Sequence, residues 1–211
     1  MQKINKLCQD LVQWVDLNGL ALNLKKTKFM IFARQRLDLS KVNLQLRNHE
    51  IERKTECRFL GVIVDDKLNW SYHIAAIRMK MAKYLGIMFK IKHRLPQNVR
   101  LQIFHSFVQS HLNYCPLVWG FSAKSHIESL FTKQKQGIRA VMSGYVNYWY
   151  KEGKLPARTK EAFKELNILT VHSIIALQTL MFMHKVSHFP KFLPTSICNT
   201  IPSNIPKFET T

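Results

Sequence analysis

The residue pattern of this chain changes at Trp70, and that break limits the fold more than any other feature. Before it, apolar runs are short and separated by turn-forming residues. After it, "SYHIAAIRMKMAKYLGIMFKIKHR" runs from Ser71 to Arg94 without a proline. A run of that length with apolar residues at helical spacing predicts a helix, with Ser71 at its N-terminal cap.

Upstream, apolar residues at Ile4, Leu7, Leu11, Trp14 and Val15 predict a helix, with Gly19 as its stop. "KFMIFA" predicts a buried strand of about six residues. "VNLQL" alternates, Asn48-His49 offers a turn to "EIER", and "RFLGVIV" predicts the most apolar strand. Downstream, Leu95-Pro96 interrupts the helical pattern. "QNVRLQIFHSFVQSHLNY", "SAKSHIESLFTKQKQGIRAVMS", "TKEAFKELN" and "VHSIIALQTLMFMHKVSH" predict further helices. "NYWYKEGKLPAR" predicts a loop, and four of the seven prolines mark an irregular tail from Phe189. The expected class is α+β: a small sheet with an N-terminal helix over 1–69, helices over 70–120 and 121–188, and a tail over 189–211. Too few elements precede Trp70 to cover both faces of a sheet.

Charge narrows the partners. The formal net charge is +19 and the pI about 10.0. Between Lys67 and Lys151 stand thirteen Lys/Arg and one acid, Glu128. Such one-sidedness favours a polyanion such as RNA or DNA. The four cysteines (Cys8, Cys57, Cys115, Cys198) form no C-x-x-C pair, and neither they nor the nine histidines give a metal spacing. They predict reduced thiols of a cytoplasmic or nuclear protein that is not secreted. The N-terminus lacks a signal-peptide core, and the longest apolar run, Ser173 to Met183, is too short for a membrane span.

Asp65 and Asp66 end the apolar run before Trp70. Adjacent carboxylates at a strand turn can hold catalytic magnesium, but aspartates also favour plain turns. Partner carboxylates are few: Asp10, Asp16, Asp38, Glu50 and Glu52. The strand-end reading, with no metal site, is the expectation.

The blocks "WVDLNGLALNLKKTKFMIF", "FLGVIVDDKLNWSYHI" and "YCPLVWG", followed by "FKELNILTVHSI" and "FMHKVSHFPKFLP", stand in the order found downstream of the active site in non-LTR (LINE-type) retrotransposon reverse transcriptases. The chain resembles that family over nearly its whole length. The resemblance implies a last part of a palm, a primer grip, a helical thumb and an extension. It also implies that the catalytic aspartates belong to an upstream aromatic-x-Asp-Asp hairpin. That pattern wants an aromatic two residues before the first aspartate, and here Ile63 stands before Asp65.

On this resemblance Lys26 matches the palm lysine that can protonate a leaving pyrophosphate; read alone, it is a solvated lysine before a strand. Phe59, Leu60 and Gly61 match the primer grip, where glycine lets a primer backbone approach; read alone, they are a core strand with a glycine bulge. Trp70, Tyr72 and His73 offer stacking surfaces or helix packing. Arg78, Lys80, Lys83, Lys90, Lys92 and Arg94 are candidates for phosphate contact. Tyr114, Trp119, Gly120 and the methionine-rich stretches read as core. The implied function is a portion of an RNA-directed DNA polymerase, inactive alone. Its partners are RNA, DNA or a hybrid, bound with little sequence preference. It has no cofactor of its own, although the parent enzyme implies Mg²⁺. The rival expectations are a non-enzymatic basic nucleic-acid-binding module and a translated relic without a stable fold.

Overall fold

In the computed structural model, residues 2–33, 42–143 and 159–189 are described. The predicted loop before Thr159, Asp38 and nearly all of the proline-containing tail lie outside them. The chain forms two compact units, Met1–His73 and Ile74–Thr211.

In the first unit, α1 (Gln2–Leu17) ends as its sequence dictates. Gly19 takes φ +65°, the Leu20 N–H reaches the Val15 carbonyl and the Gly19 N–H reaches that of Asp16. These two bonds are the Schellman stop that a glycine permits. Of the apolar residues that predict this helix, Val15 is buried, whereas Ile4, Leu7, Leu11 and Trp14 are exposed.

Six short strands follow among the described residues, paired two by two. β1 (Lys28–Phe29) runs parallel to β4 (Glu52–Arg53). β2 (Gln45–Leu46) and β3 (His49–Glu50) form a hairpin, as do β5 (Glu56–Phe59) and β6 (Val62–Asp65). Three expectations change here. "KFMIFA" yields two strand residues, because only Glu52 and Arg53 lie alongside to pair with it, and Phe32 is exposed. The first hairpin turns at Arg47-Asn48, with φ of 49° and 62°, one residue earlier than Asn48-His49. "RFLGVIV" is not one strand but a hairpin that turns at Leu60-Gly61, with φ of 46° and 84°. Positive φ at both central residues is the turn whose twist matches paired strands.

In the second unit most of α2 (Ser71–Ile91) packs with α3 (Gln97–Phe104), a π turn (His105–Gln109), α4 (Ser110–Asn113), α5 (Pro116–Trp119), α6 (Lys124–Met142), α7 (Thr159–Glu165) and α8 (Val171–His188). The helix expected after Pro96 is thus interrupted by a π turn, and α5 was not anticipated. The core holds Met81, Leu85 and Met88 of α2, Phe104, Val108 and Leu112 of the next segment, Trp119, and Leu130, Ile138 and Val141 of α6. A Cβ on Gly137 would stand 2.5 Å from the Phe104 ring, so this glycine sets how closely α6 approaches α3.

Two expectations of burial fail. Tyr114 is half exposed, although its carbonyl accepts the indole N–H of the fully buried Trp119. "TLMFMH" lies on the outside of α8, with Met181 and Met183 exposed.

One buried amide joins the helices of this unit. Gln134 of α6 is fully buried. It donates to Gln109 Oε1 and to the Leu169 carbonyl, both at 2.9 Å, and accepts from the Val171 N–H at 2.9 Å. Gln134→Leu takes that partner from Gln109 Oε1 and the Val171 N–H inside the core, while the Leu169 carbonyl keeps the Gln109 Nε2–H donor at 3.3 Å. It is expected to cost about 2–3 kcal/mol, read by chemical denaturation.

Candidate nucleic-acid interface

A helix repeats every 3.6 residues, so the positions on α2 sort by face. Ile74, Ile77, Met81, Leu85 and Met88 are buried and define the inner face. Lys80, Lys83 and Lys90 are exposed. At about 100° per residue they fall within an arc of about 80°, roughly opposite the core. Arg78 is exposed as well but stands about 120–160° from them around the axis, so it does not share their face. Lys92 and Arg94 follow the end of the helix. The Lys92 ammonium rests 5.3 Å from the Phe89 ring centroid, and Arg94 is exposed.

The next helical segment braces this one. Tyr84 of α2 stacks on Phe107, with ring centroids 4.7 Å apart, and on His111 at 6.1 Å. Partial burial, and then the positive charge of Lys80, push the His111 pKa below its ordinary 6.5. Each disfavours a second cation beside Lys80. Arg100 belongs to the basic stretch between Lys67 and Lys151 but takes no part in an exposed surface. It is buried, and its guanidinium donates to the carbonyls of Val141, Lys92 and Leu95. It ties the end of α6 to the segment after α2.

In the first unit the three primer-grip-like residues stand at the β5–β6 turn. Phe59 is 66% exposed and Leu60 75%. The core-strand reading therefore fails for both, and Gly61 is a turn residue rather than a bulge. Leucine at φ 46° is disfavoured by its Cβ, and an exposed side chain gains little burial to offset that. Lys26 is exposed in a turn that Asn23 builds. The Asn23 carbonyl accepts from the Thr27 hydroxyl and its side chain accepts from the Lys26 N–H. The Lys26 ammonium has no ion-pair partner among the described residues.

Asp65 closes β6 and is only 2% exposed. Its Oδ1 accepts from the N–H groups of Lys67 and Asn69, both at 3.2 Å, and its Oδ2 from that of Trp70 at 2.9 Å. These bonds hold a loop in which Leu68 and Trp70 both take positive φ. The Asp66 N–H binds the Thr55 carbonyl. The carboxylate at the strand end thus shapes the turn into α2. His73 also serves that junction: it is buried, and its Nδ1 accepts from the Ile63 N–H at 3.3 Å, while Tyr72 is exposed.

Two of the other acids weighed as partners are engaged elsewhere. Asp16 pairs with Arg47, and Glu52 pairs with Lys28 and Lys54. Hydrogen bonds from these two lysines hold the Glu52 pKa down to about 2. Among the described residues no group of three or more His, Cys, Asp or Glu is placed to hold a metal ion. No described helix is long and apolar enough to cross a membrane.

Sequence reasoning singled out lysines on α2 by their density. It missed Lys135, Lys160 and Lys164, whose relation depends on how α6 and α7 pack. It also did not separate Arg78 from its neighbours, although helical spacing alone carries that signal.

The chain is similar to the RNA-directed DNA polymerase from mobile element jockey of Drosophila melanogaster, at 23% identity over 188 residues. The alignment covers 86% of this chain and 19% of that protein. The resemblance to non-LTR retrotransposon reverse transcriptases is therefore found by comparison as well as in the ordered sequence blocks. The chain spans about a fifth of the length of the relative it matches. No protein-family model and no solved structure match.

Asp65→Ala is expected to cost about 2–3 kcal/mol, because it removes a charged acceptor from three backbone donors, while Asp66→Ala stays within about 0.5 kcal/mol. Denaturant midpoints check both. A Glu52 pKa of about 2, below the ordinary 4.5, means that the ion pairs favour the fold fully above about pH 4.5. That contribution is lost as pH falls through about 2. An NMR titration of the Glu52 carboxyl is expected to give that midpoint, moving up in Lys28→Ala.

Proposed function

We propose that this chain corresponds to the end of the palm, the thumb and part of the following region of a non-LTR retrotransposon RNA-directed DNA polymerase, and that it holds nucleic acid without doing chemistry. Residues 1–69 would be the palm portion, 70–120 the thumb and 121–188 the extension. The observation that carries this reading is the face of α2, where Lys80, Lys83 and Lys90 stand together opposite the buried side of the helix. A row of ammonium groups on a helix meets successive phosphates and reads no bases. RNA, DNA or a hybrid would serve, with little sequence preference.

The hairpin tip supports the same reading. Phe59 and Leu60 are displayed on a turn that leucine disfavours, and backbone strain at an exposed tip is a signature of a contact residue. On this proposal the tip touches the primer strand and Gly61 admits its backbone. Lys26, as a leaving-group acid, would matter only beside an active site from elsewhere in the polymerase.

Template-directed nucleotide transfer uses two metal ions about 3.5–4 Å apart on converging carboxylates. Asp16 and Glu52 are ion-paired, and Asp65 is filled by backbone donors. They offer no set on which the parent enzyme's Mg²⁺ would sit. The isolated chain is therefore expected to give no product in primer extension on an RNA template with dNTPs and Mg²⁺ or Mn²⁺. Template-dependent product would overturn the proposal.

The rival, a non-enzymatic binding module, rests on the same lysines. Both readings expect duplex affinity to fall with salt. Replacing Lys80, Lys83 and Lys90 by alanine together is expected to weaken all duplex sequences alike and to reduce the slope of log affinity against log salt by about 3. A slope unchanged by the triple replacement would remove both. Leu60→Asn is expected to stabilise the hairpin by about 0.5–1 kcal/mol, since Asn-Gly suits this turn, while weakening primer–template binding.

A further inference from the structure

We propose that the cleft framed by α6, α7 and the start of α8 is a second nucleic-acid site, which takes the sugar-phosphate backbone of a single strand. This inference rests on the reading of the chain as a nucleic-acid binder. It concerns residues that neither the α2 face nor the hairpin includes.

The cleft has a volume of about 790 Å³. Lysines from two helices converge on it: Lys135 of α6, and Lys160 and Lys164 one turn apart on α7. Among the described residues no carboxylate lines it. Glu128, the one acid of α6, sits 3.3 Å from His172 instead. Two of the lysines carry exposed ammonium stems, whereas Lys135 is half-buried and poised, its Nζ 4.5 Å from the Phe131 ring centroid. That contact pre-orders one cation, which lowers the entropy lost when it meets a phosphate.

The floor is aromatic. Phe131 lies against Phe163, with centroids 6.0 Å apart, and Phe163 is buried. Ser173 and Thr170 stand at the wall, where their hydroxyls bond each other at 2.9 Å and the Thr170 oxygen accepts from the Ser173 N–H. Cations over an apolar floor suit a ligand with anionic phosphates along one edge and sugar or base faces along the other. Concavity decides between nucleic-acid forms. A duplex is a convex cylinder whose phosphates cannot enter a cleft of this size, whereas one or two nucleotides of a single strand can. Lys160 and Lys164, at positions i and i+4, share a face of α7 and are spaced to meet neighbouring phosphates.

The test uses the full chain and two fluorescein-labelled probes, a ten-nucleotide oligo-dT and a twenty-base-pair DNA duplex, followed by anisotropy across salt concentrations. The charge reversals K160E and K164E are made together, and thermal unfolding checks that the fold is kept. We expect oligo-dT affinity to fall about tenfold, its salt slope to drop by about 1.4, and duplex affinity to stay unchanged. The set K80E, K83E and K90E is expected to do the reverse. Oligo-dT binding unchanged in K160E/K164E, or an equal loss for both probes, overturns the inference. A duplex affinity untouched by the α2 set refutes the α2 interface alone, so the two failures are distinguishable.

Discussion

The helical unit depends on one buried amide. Gln134 has no contact with water, so each of its polar atoms must find a partner inside. It finds them on two separate segments: Gln109 of the π turn, and the entry to α8, where the Leu169 carbonyl accepts and the Val171 N–H donates. Gln109 can reach it because the π turn widens the helix there by a residue and brings a polar side chain inward. The Val171 N–H is one of the orphan donors of a helix start, so this bond also anchors the first turn of α8. Arg100 does comparable work at the other end, where its guanidinium collects three carbonyls and no carboxylate. A network that is satisfied at every atom has few alternative arrangements. That rigidity fixes the helices from which the outer lysines project.

Much of the helical unit was legible in the sequence because its signal is local. Apolar residues at i, i+3, i+4 and i+7 predict α2, α6 and α8, and the bounds of α8 follow those of "VHSIIALQTLMFMHKVSH". The face carrying Lys80, Lys83 and Lys90 is legible for the same reason. The strands were less so, because a two-residue strand exists only through its partner. Nothing in Lys28–Phe29 announces Glu52–Arg53. The β5–β6 hairpin was missed for a sharper reason: turn prediction looks for asparagine or aspartate before glycine, and here leucine stands there. Gln109 and Arg100 escaped because their burial comes from tertiary packing, which the polarity of a side chain argues against. The cleft lysines escaped likewise, since Lys135 and Lys164 are far apart in sequence and meet only through helix packing.

The pair Asp65-Asp66 shows how one motif admits two chemistries until its donors are counted. A carboxylate that holds a metal must offer free lone pairs toward a cleft. Asp65 instead points both oxygens at backbone N–H groups, inside the protein. A metal there would have to strip those donors and leave them buried without partners, at a cost comparable with several hydrogen bonds. The loop they stabilise also contains two non-glycine residues with positive φ, so the carboxylate offsets backbone strain as well.

On the proposed reading, affinity and placement are separate tasks given to different parts of the chain. Lysines on a helix face act as point charges; they draw a polyanion from a distance and tolerate any sequence. They cannot fix where a strand end lies, because sliding by one nucleotide exchanges one phosphate for another at equal energy. Placement needs a contact with shape. An exposed apolar pair on a two-residue turn, with a glycine beside it, can supply one, since a sugar or base edge that shifts loses that contact. The disfavoured backbone at Leu60 then has a physical reason: a better turn residue would hold the hairpin more firmly but would present no apolar surface at its tip.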